Sequence, residues 1–263
     1  MPKQIFEELI MLNQLEAVAL GGSRAVENYD EKSDYDVYVY VNAPIDEDLR
    51  RKILASSCNY MEIGNHFWEY EDNCTLNNGI DIDILYRDME DFVGDIDDVV
   101  VKYQAHNAYT TCMWHNLLTC KIIYDRHGKL TGYQRQYDIP YPSQLKKNII
   151  ERQLCLIDSS MPAYPIQIEK AVKRGDWVSI NHRVSEFLAS YFDLIFALNE
   201  KTHPGEKRLV ELCTKQCALL PEDFEKNLRN LFLHMYSQEE QVSCIQDIEK
   251  IVDNVKKILN QCG

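Results

Sequence analysis

Two Asp-x-Asp pairs of this chain sit in strand-like runs, Ser33-Asp34-Tyr35-Asp36 and Asp81-Ile82-Asp83. Each pair lies in a run of Val, Ile and Tyr that reads as a strand. Side chains alternate across a strand, so both carboxylates of a pair project from one face. Two such groups can bind one Mg²⁺ or bracket two about 4 Å apart. A third carboxylate from a neighbouring strand can complete the set or take the proton from an attacking hydroxyl. Upstream, the apolar run Ala17-Val18-Ala19-Leu20 ends on Gly21-Gly22-Ser23-Arg24. Glycines let backbone approach a phosphate closely. Ser23 suits a helix start, where its hydroxyl and nearby N–H groups can meet phosphate oxygens, and Arg24 can add charge to that contact. Gly-Gly-Ser alone is common, and so is Asp-x-Asp. Their order is more specific: apolar strand, glycine turn, about ten residues, Asp-x-Asp on a strand, then a further strand bearing Asp. That combination suits metal-dependent transfer from a nucleoside triphosphate.

The elements that must hold these residues follow from periodicity. Apolar residues at helical spacing predict a helix over 2–15, and 17–20 and 35–41 read as strands. Residues 45–57 read as a helix with acidic residues in its first turn, and 59–63 with 66–70 as a strand pair. Asn77-Asn78-Gly79 signals a turn before the strictly alternating strand 80–84, extended by Leu85-Tyr86, and a helix follows over 88–104. Residues 125–143 carry Gly128, Gly132, Pro140 and Pro142 and mark a domain boundary. Beyond it every segment reads as helix: 143–158, 162–174, 176–200, 205–219, 221–236 and 239–261. Gly175-Asp176 reads as a helix stop and a new N-cap, and Asn199 as a C-cap. The expected class is α+β: a catalytic α/β domain with a mixed sheet over 1–140, then a helical bundle over 141–263.

Charge narrows the chemistry. The net charge is −14, whereas gripping long nucleic acid calls for a basic stripe. The acidity belongs to one half: residues 27–98 hold 20 Asp and Glu against 5 Lys and Arg, and residues 142–263 hold 17 against 16. A triphosphate carries about four negative charges, which Mg²⁺ neutralises only in part. Lys146-Lys147, Lys173-Arg174 and Lys207-Arg208 of the helical half are therefore candidate cations, though each reads first as a solvated helix surface. No apolar run reaches the length of a membrane span, and the first residues lack the pattern of a signal peptide. The nine cysteines show no Cys-x-x-Cys, and the seven histidines show no metal-binding spacing. These features lead us to expect a cytoplasmic protein with reduced thiols. Trp68 and the tyrosines read first as packing residues and second as stacking platforms for a base.

The motifs Leu20-Gly21-Gly22-Ser23, Ser33-Asp34-Tyr35-Asp36 and Ile82-Asp83-Ile84 resemble those of the DNA polymerase β-like nucleotidyltransferase superfamily. They look like its small-substrate branch, which includes aminoglycoside and lincosamide nucleotidyltransferases. The later part is similar to a helical domain of unknown function, DUF4037. That likeness rests on Ile123-Tyr124-Asp125-Arg126, Gly128, Leu130, Lys173-Arg174-Gly175-Asp176 and Phe196-Ala197-Leu198-Asn199, with Pro204 and Lys207-Arg208. The resemblance implies that Asp34 and Asp36 are metal ligands, that Asp83 is a third ligand or the base, and that Gly22, Ser23 and Arg24 bind the nucleotide. Ile80-Asp81-Ile82 fits the same pattern as Ile82-Asp83-Ile84, and the Tyr86-Arg87 that follows favours Asp83. The implied cofactor is Mg²⁺. The implied partners are a nucleoside triphosphate such as ATP and a small hydroxyl acceptor, an antibiotic among the options. A nucleotide-binding regulatory module and a protein AMP-transferase are the alternatives.

Overall fold

A computed structural model describes residues 2–25, 33–67, 69–237 and 239–262. The chain forms a six-stranded mixed sheet followed by a helical region. It divides into two compact units, one of Met1–Asp98 with Met113–Ile139 and one of Val99–Cys112 with Pro140–Gly263.

The first unit opens with α1 (Lys3–Ile10), β1 (Leu15–Leu20) and the single turn α2 (Gly22–Ala25). Then come β2 (Tyr35–Val41), α3 (Glu47–Ala55), β3 (Cys58–Asn65), β4 (Glu71–Leu76) and β5 (Asp81–Asp88). α4 (Met89–Val100), α5 (Cys112–Thr119), β6 (Lys121–Asp125) and α6 (Lys129–Tyr137) complete the first part of the chain. The sheet order is β3-β4-β5-β2-β1-β6. The β2–β5 pair is parallel and the other pairs are antiparallel. One sheet face is apolar: Val37 and Val39 of β2 and Ile82 and Ile84 of β5 bury against Ile5, Phe6 and Leu9 of α1 and Ile53 and Leu54 of α3. The alternating residues, Asp36 and Tyr38 of β2 and Asp83, Leu85 and Arg87 of β5, occupy the other face.

α3 is capped as its sequence demands, with the Asp46 carboxylate accepting from Leu49 N at 3.2 Å. The second strand of the expected 59–63/66–70 pair lies instead at Glu71–Leu76. Its acidic start hid it, because Asp72 points into the core and meets Arg50. Both side chains are fully buried, with Arg50 Nη1 2.7 Å from Asp72 Oδ1. The guanidinium carbon lies 4.6 Å from the centroids of both the Tyr70 and the Tyr86 ring, and the group also donates to the Tyr70 hydroxyl. The second Asp72 anchor is Gly64 N–H at 2.9 Å.

The expected helix 88–104 ends at Val100, α5 and β6 occupy residues to which the sequence reading assigns no element, and α6 lies within the 125–143 stretch read as a boundary. Gly128, with φ of 68°, starts α6, and Gly132 lies inside that helix. Asp125 accepts from Thr131 N–H and Oγ1–H, each at 2.8 Å, and Arg126 donates to the Ile10 and Leu12 carbonyls at 2.9 and 2.7 Å. The Asp125-Arg126 motif thus fastens elements of the first unit.

The second unit holds α7 (Ser143–Leu154), which runs into a π-helical turn (Cys155–Ser159), then α8 (Tyr164–Lys173), α9 (Trp177–Leu198), α10 (Leu209–Gln216), α11 (Phe224–Met235) and α12 (Ser243–Cys262). Gly175 takes φ of 63° and Asp176 caps α9 through Ser179 N–H at 3.0 Å, as the sequence leads one to expect. Asn199 closes α9 by donating to the Ile195 and Leu219 carbonyls at 2.9 Å each. Phe187, Tyr191 and Phe196 of α9 lie in one core with Leu228 and Leu231 of α11 and Ile251 and Val255 of α12.

This unit also buries Asp193, 1% exposed, and no ion pair to it is found among the described residues. The carboxylate accepts from Thr110 N–H at 3.0 Å, Thr110 Oγ1–H at 2.7 Å and Gln153 Nε2–H at 2.8 Å. Burial pushes its pKa up to about 6, against the opposing pull of those donors.

Two predictions follow from these buried charges. Asp72→Ala leaves the buried Arg50 guanidinium with only the exposed Glu47 carboxylate, 3.7 Å away, as counter-ion, which should lower unfolding free energy by about 3 kcal/mol in urea denaturation. Asp193 binds its proton more tightly in the folded than in the unfolded chain, so its contribution falls as pH rises through the window from about 4 to about 6. Wild type should therefore gain stability relative to Asp193→Asn as pH is lowered across that window, by up to about 3 kcal/mol. A difference that stays flat from pH 7 to pH 4 would refute the assignment.

Candidate active site

The acidic face of the sheet is assembled by one register. In the parallel pair β2–β5, Asp36 is the partner of Asp83 and Tyr35 the partner of Ile82. The two carboxylates therefore project from neighbouring strands at the same level and on the same side. Both are partly exposed. Asp34 lies just before β2 and is exposed, as is Asp81 at the start of β5.

Hydrogen bonds separate the two carboxylates of β5. Asn73 of β4, the register partner of Asp83, donates to Asp83 Oδ1 at 2.8 Å, and its own Oδ1 accepts from Asn65 at 2.6 Å. The Asn65–Asn73 chain thereby fixes one oxygen of Asp83. Asp81 is instead held by Thr75 Oγ1–H at 2.8 Å, towards the β4–β5 turn.

The glycine turn comes against Asp36. Gly21 N–H donates to the Asp36 carbonyl at 2.8 Å. Gly22 takes φ of 55°, and a Cβ there would overlap the Asp36 carboxylate. A Cβ on Gly21 would overlap the ring end of Tyr38. Gly22 is thus required by close approach and by conformation, and Gly21 by close approach. Ser23 is partly exposed on α2, a helix of one turn.

Arg24 turns back on the chain beside the glycine turn. Its Nε donates to the Ser33 and Asp34 carbonyls at 3.0 and 2.9 Å, Nη2 also donates to the Ser33 carbonyl, and the guanidinium lies 3.8 Å from the Tyr35 ring centroid. It ties the backbone of the first carboxylate to the glycine turn.

Three residues of this region, Glu69, Glu71 and Tyr38, are not singled out in the sequence, and Arg87 serves there only to choose between Asp81 and Asp83. Glu71, 9% exposed, has its carboxyl pKa raised by burial first and by the Asp83 charge second. Tyr38 is pushed up to about 12, chiefly by burial, with the neighbouring Arg87 opposing and Asp36 adding to the shift. Arg87 is held by Glu69 through two bonds of 2.7 Å. Strand pairing brings Glu71, Tyr38 and Arg87 to the sheet, and Glu69 joins them through Arg87.

Among the described residues, no group of three His, Cys, Asp or Glu side chains is arranged to hold a metal ion. Asp36 and Asp83 nevertheless offer hard oxygen donors from one face. Mg²⁺ is commonly bound by one or two carboxylates with substrate phosphates and water completing its shell. The donor set fits an ion delivered with a triphosphate and does not form an all-protein cage. Of the cations considered from the helical half, Lys146, Lys147 and Lys173 pair with Glu200, Glu151 and Glu169 at 2.9, 3.8 and 2.5 Å. Trp68 lies outside the described residues. The eight cysteines from Cys58 to Cys244 are free thiols. No helix among the described residues is long and apolar enough to cross a membrane.

Residues 2–130 match the family model described as a nucleotidyltransferase domain, and residues 109–209 match that of a domain of unknown function, DUF4037. No curated protein matches the chain. Among solved structures, it is similar to a nucleotidyltransferase-like protein from Exiguobacterium sibiricum 255-15, at 12% identity and a TM-score of 0.45, covering 98% of this chain and 73% of that one. It is also similar to an aminoglycoside 6-adenyltransferase from Bacillus subtilis, at 10% identity and a TM-score of 0.28, over 98% and 90% of the two chains. A CCA-adding enzyme from Thermotoga maritima, complexed with tRNA, is similar at 11% identity and a TM-score of 0.28, over 98% and 80%. At these scores the three likenesses carry no argument.

The overlap between a Gly22 Cβ and the Asp36 carboxylate gives a stability test. Gly22→Ala should destabilise the fold by about 1–2 kcal/mol, through the positive φ and the displaced carboxylate together. In the Asp36→Ala background only the φ component remains, so the Gly22→Ala effect should shrink. Strict additivity of the two changes in chemical denaturation would contradict the contact.

Proposed function

We propose that the chain, which carries a nucleotidyltransferase domain over residues 2–130, transfers a nucleoside monophosphate from a nucleoside triphosphate to a hydroxyl of a small acceptor, releasing pyrophosphate. The observation that carries this reading is the level pairing of Asp36 with Asp83 beside a turn where Gly22 has no room for a side chain.

In this reading Asp34 and Asp36 bind Mg²⁺ together with the triphosphate, and Asp83 serves as third ligand or as base. Bound there, Mg²⁺ would supply charge neutralisation for the phosphates and the leaving pyrophosphate. The chain's own groups do the rest. The Gly21-Gly22 turn lets the phosphates come close to the backbone, and Ser23 offers a hydroxyl at its edge. Arg24 keeps Asp34 in place by bonding the carbonyls on either side of the Ser33–Asp34 peptide bond. Asp83 has one oxygen bonded by Asn73, which leaves the other to face the acceptor hydroxyl and receive its proton. The acidic surroundings, with Glu71 and Asp81 nearby on the same two strands, suit a neutral or cationic acceptor better than a polyanion.

Pyrophosphate release tests the proposal directly. The four ribonucleoside triphosphates with Mg²⁺ would be run against a panel opening with aminoglycosides and lincosamides, acceptors of the branch that the motifs resemble. Release should depend on an acceptor. Asp34→Asn and Asp36→Asn should each lower it by a factor of about 10³ or more while leaving the melting temperature close to wild type, since each removes a metal-binding charge and little volume. Full activity in either variant would end the assignment. Transfer of label from ATP to a protein band, with no small acceptor needed, would move the reading to a protein AMP-transferase. Metal-dependent nucleotide binding without release would move it to a binding module.

A further inference from the structure

Behind the carboxylates lies a buried cation that the nucleotide-transfer reading leaves without a task. Arg87, 7% exposed, occupies the acidic face of β5 four residues beyond Asp83. Its Nε and one Nη donate to the two oxygens of Glu69, each at 2.7 Å. This forked pairing fixes the plane of the guanidinium. Burial works against the charge, and the bonds to Glu69 more than offset it, so the group stays cationic.

That plane is used. The guanidinium carbon lies 4.2 Å from the centroid of the Tyr38 ring and 5.1 Å from that of Phe92 on α4. Tyr38 follows Asp36 on the same face of β2. Its far edge fills the space where a Gly21 side chain would be, and its hydroxyl interacts with Asn116 of α5. The Tyr38 ring is therefore gripped on one side by Arg87 and presses on the glycine turn with its other end. Glu69, Arg87, Tyr38 and Gly21 form a continuous chain of contact ending at the turn that touches Asp36.

We propose that Arg87 is a positioning residue for the transfer reaction: held by Glu69, it fixes the Tyr38 ring, and the ring sets how closely the Gly21-Gly22 turn sits against Asp36. The inference rests on the reading of Asp36 as a metal-binding carboxylate. It concerns placement and not charge on the substrate. Misplacing a reacting group by about 1 Å can cost two orders of magnitude in rate.

Substitutions separate placement from charge. Arg87→Lys keeps the charge and loses the fork and the flat stacking surface. Tyr38→Leu keeps bulk and loses the ring, and Tyr38→Phe keeps the ring and loses the hydroxyl. Binding of Mn²⁺ with ATP, read by electron paramagnetic resonance, gives a measure independent of turnover, and thermal melting controls for folding. Glu69→Gln is a milder change should Arg87→Lys fail to fold, since the Glu69 side chain is 30% exposed.

Arg87→Lys and Tyr38→Leu should each weaken Mn²⁺–ATP binding and lower kcat by roughly tenfold or more, with the acceptor KM little changed, and Tyr38→Phe should rescue most of the loss. The proposal is overturned if Arg87→Lys, or Glu69→Gln in its place, and Tyr38→Leu fold normally and stay within about twofold of wild type while Asp36→Asn abolishes Mn²⁺–ATP binding. If Asp36→Asn itself leaves that binding unchanged, the reading of the carboxylate site fails, whatever Arg87 does.

Discussion

The parallel pairing of β2 with β5 is the constraint on which the site depends. It joins strands that are far apart in sequence and sets Asp36 level with Asp83. A slip of one residue would turn one carboxylate into the apolar face and carry Val37 or Ile84 out of it. The hydrophobic pattern therefore enforces the chemistry: Val37, Val39, Ile82 and Ile84 are all fully buried, so the register that buries them is the one that presents the two acids. Stability and site geometry are specified by the same alternation.

That alternation made part of the site legible in the sequence. Asp34 and Asp36 stand out because a Val- and Tyr-rich strand has no other reason to carry acids at that spacing. Gly22 stands out because it follows an apolar strand directly. The choice between Asp81 and Asp83 was not available from spacing alone, since both lie on one face of the same strand. Which of them lies level with Asp36 is decided by strand pairing. Arg24 reads as a phosphate contact because a cation lies beside a glycine turn, and its Nε donates back to the Ser33 and Asp34 carbonyls, a role that only strand placement reveals.

The fold was legible where periodicity was clean and obscure where a polar group replaced an apolar one in the core. β4 was displaced in the sequence reading because Asp72 occupies a core position that looks like surface. It is tolerated there only because Arg50, two aromatic rings and Gly64 N–H surround it. β6 is five residues long and partly exposed, too short to show alternation. α6 begins on one glycine and contains another, so it looked like a turn. Its start is secured by Asp125, whose side chain accepts from Thr131 six residues later.

The buried polar groups of the two units follow different logic. In the first unit the buried cations Arg50 and Arg87 each have a carboxylate and two aromatic rings, so both charges are compensated and their positions fixed. In the second unit Asp193 has only neutral donors. Two of them come from Thr110, in the 99–112 segment between α4 and α5. Gln153 and Ser190 bond the His106 and Asn107 carbonyls of the same segment, at 2.9 Å each. A loop of this length would ordinarily be mobile, and here its backbone is stitched to α7 and α9.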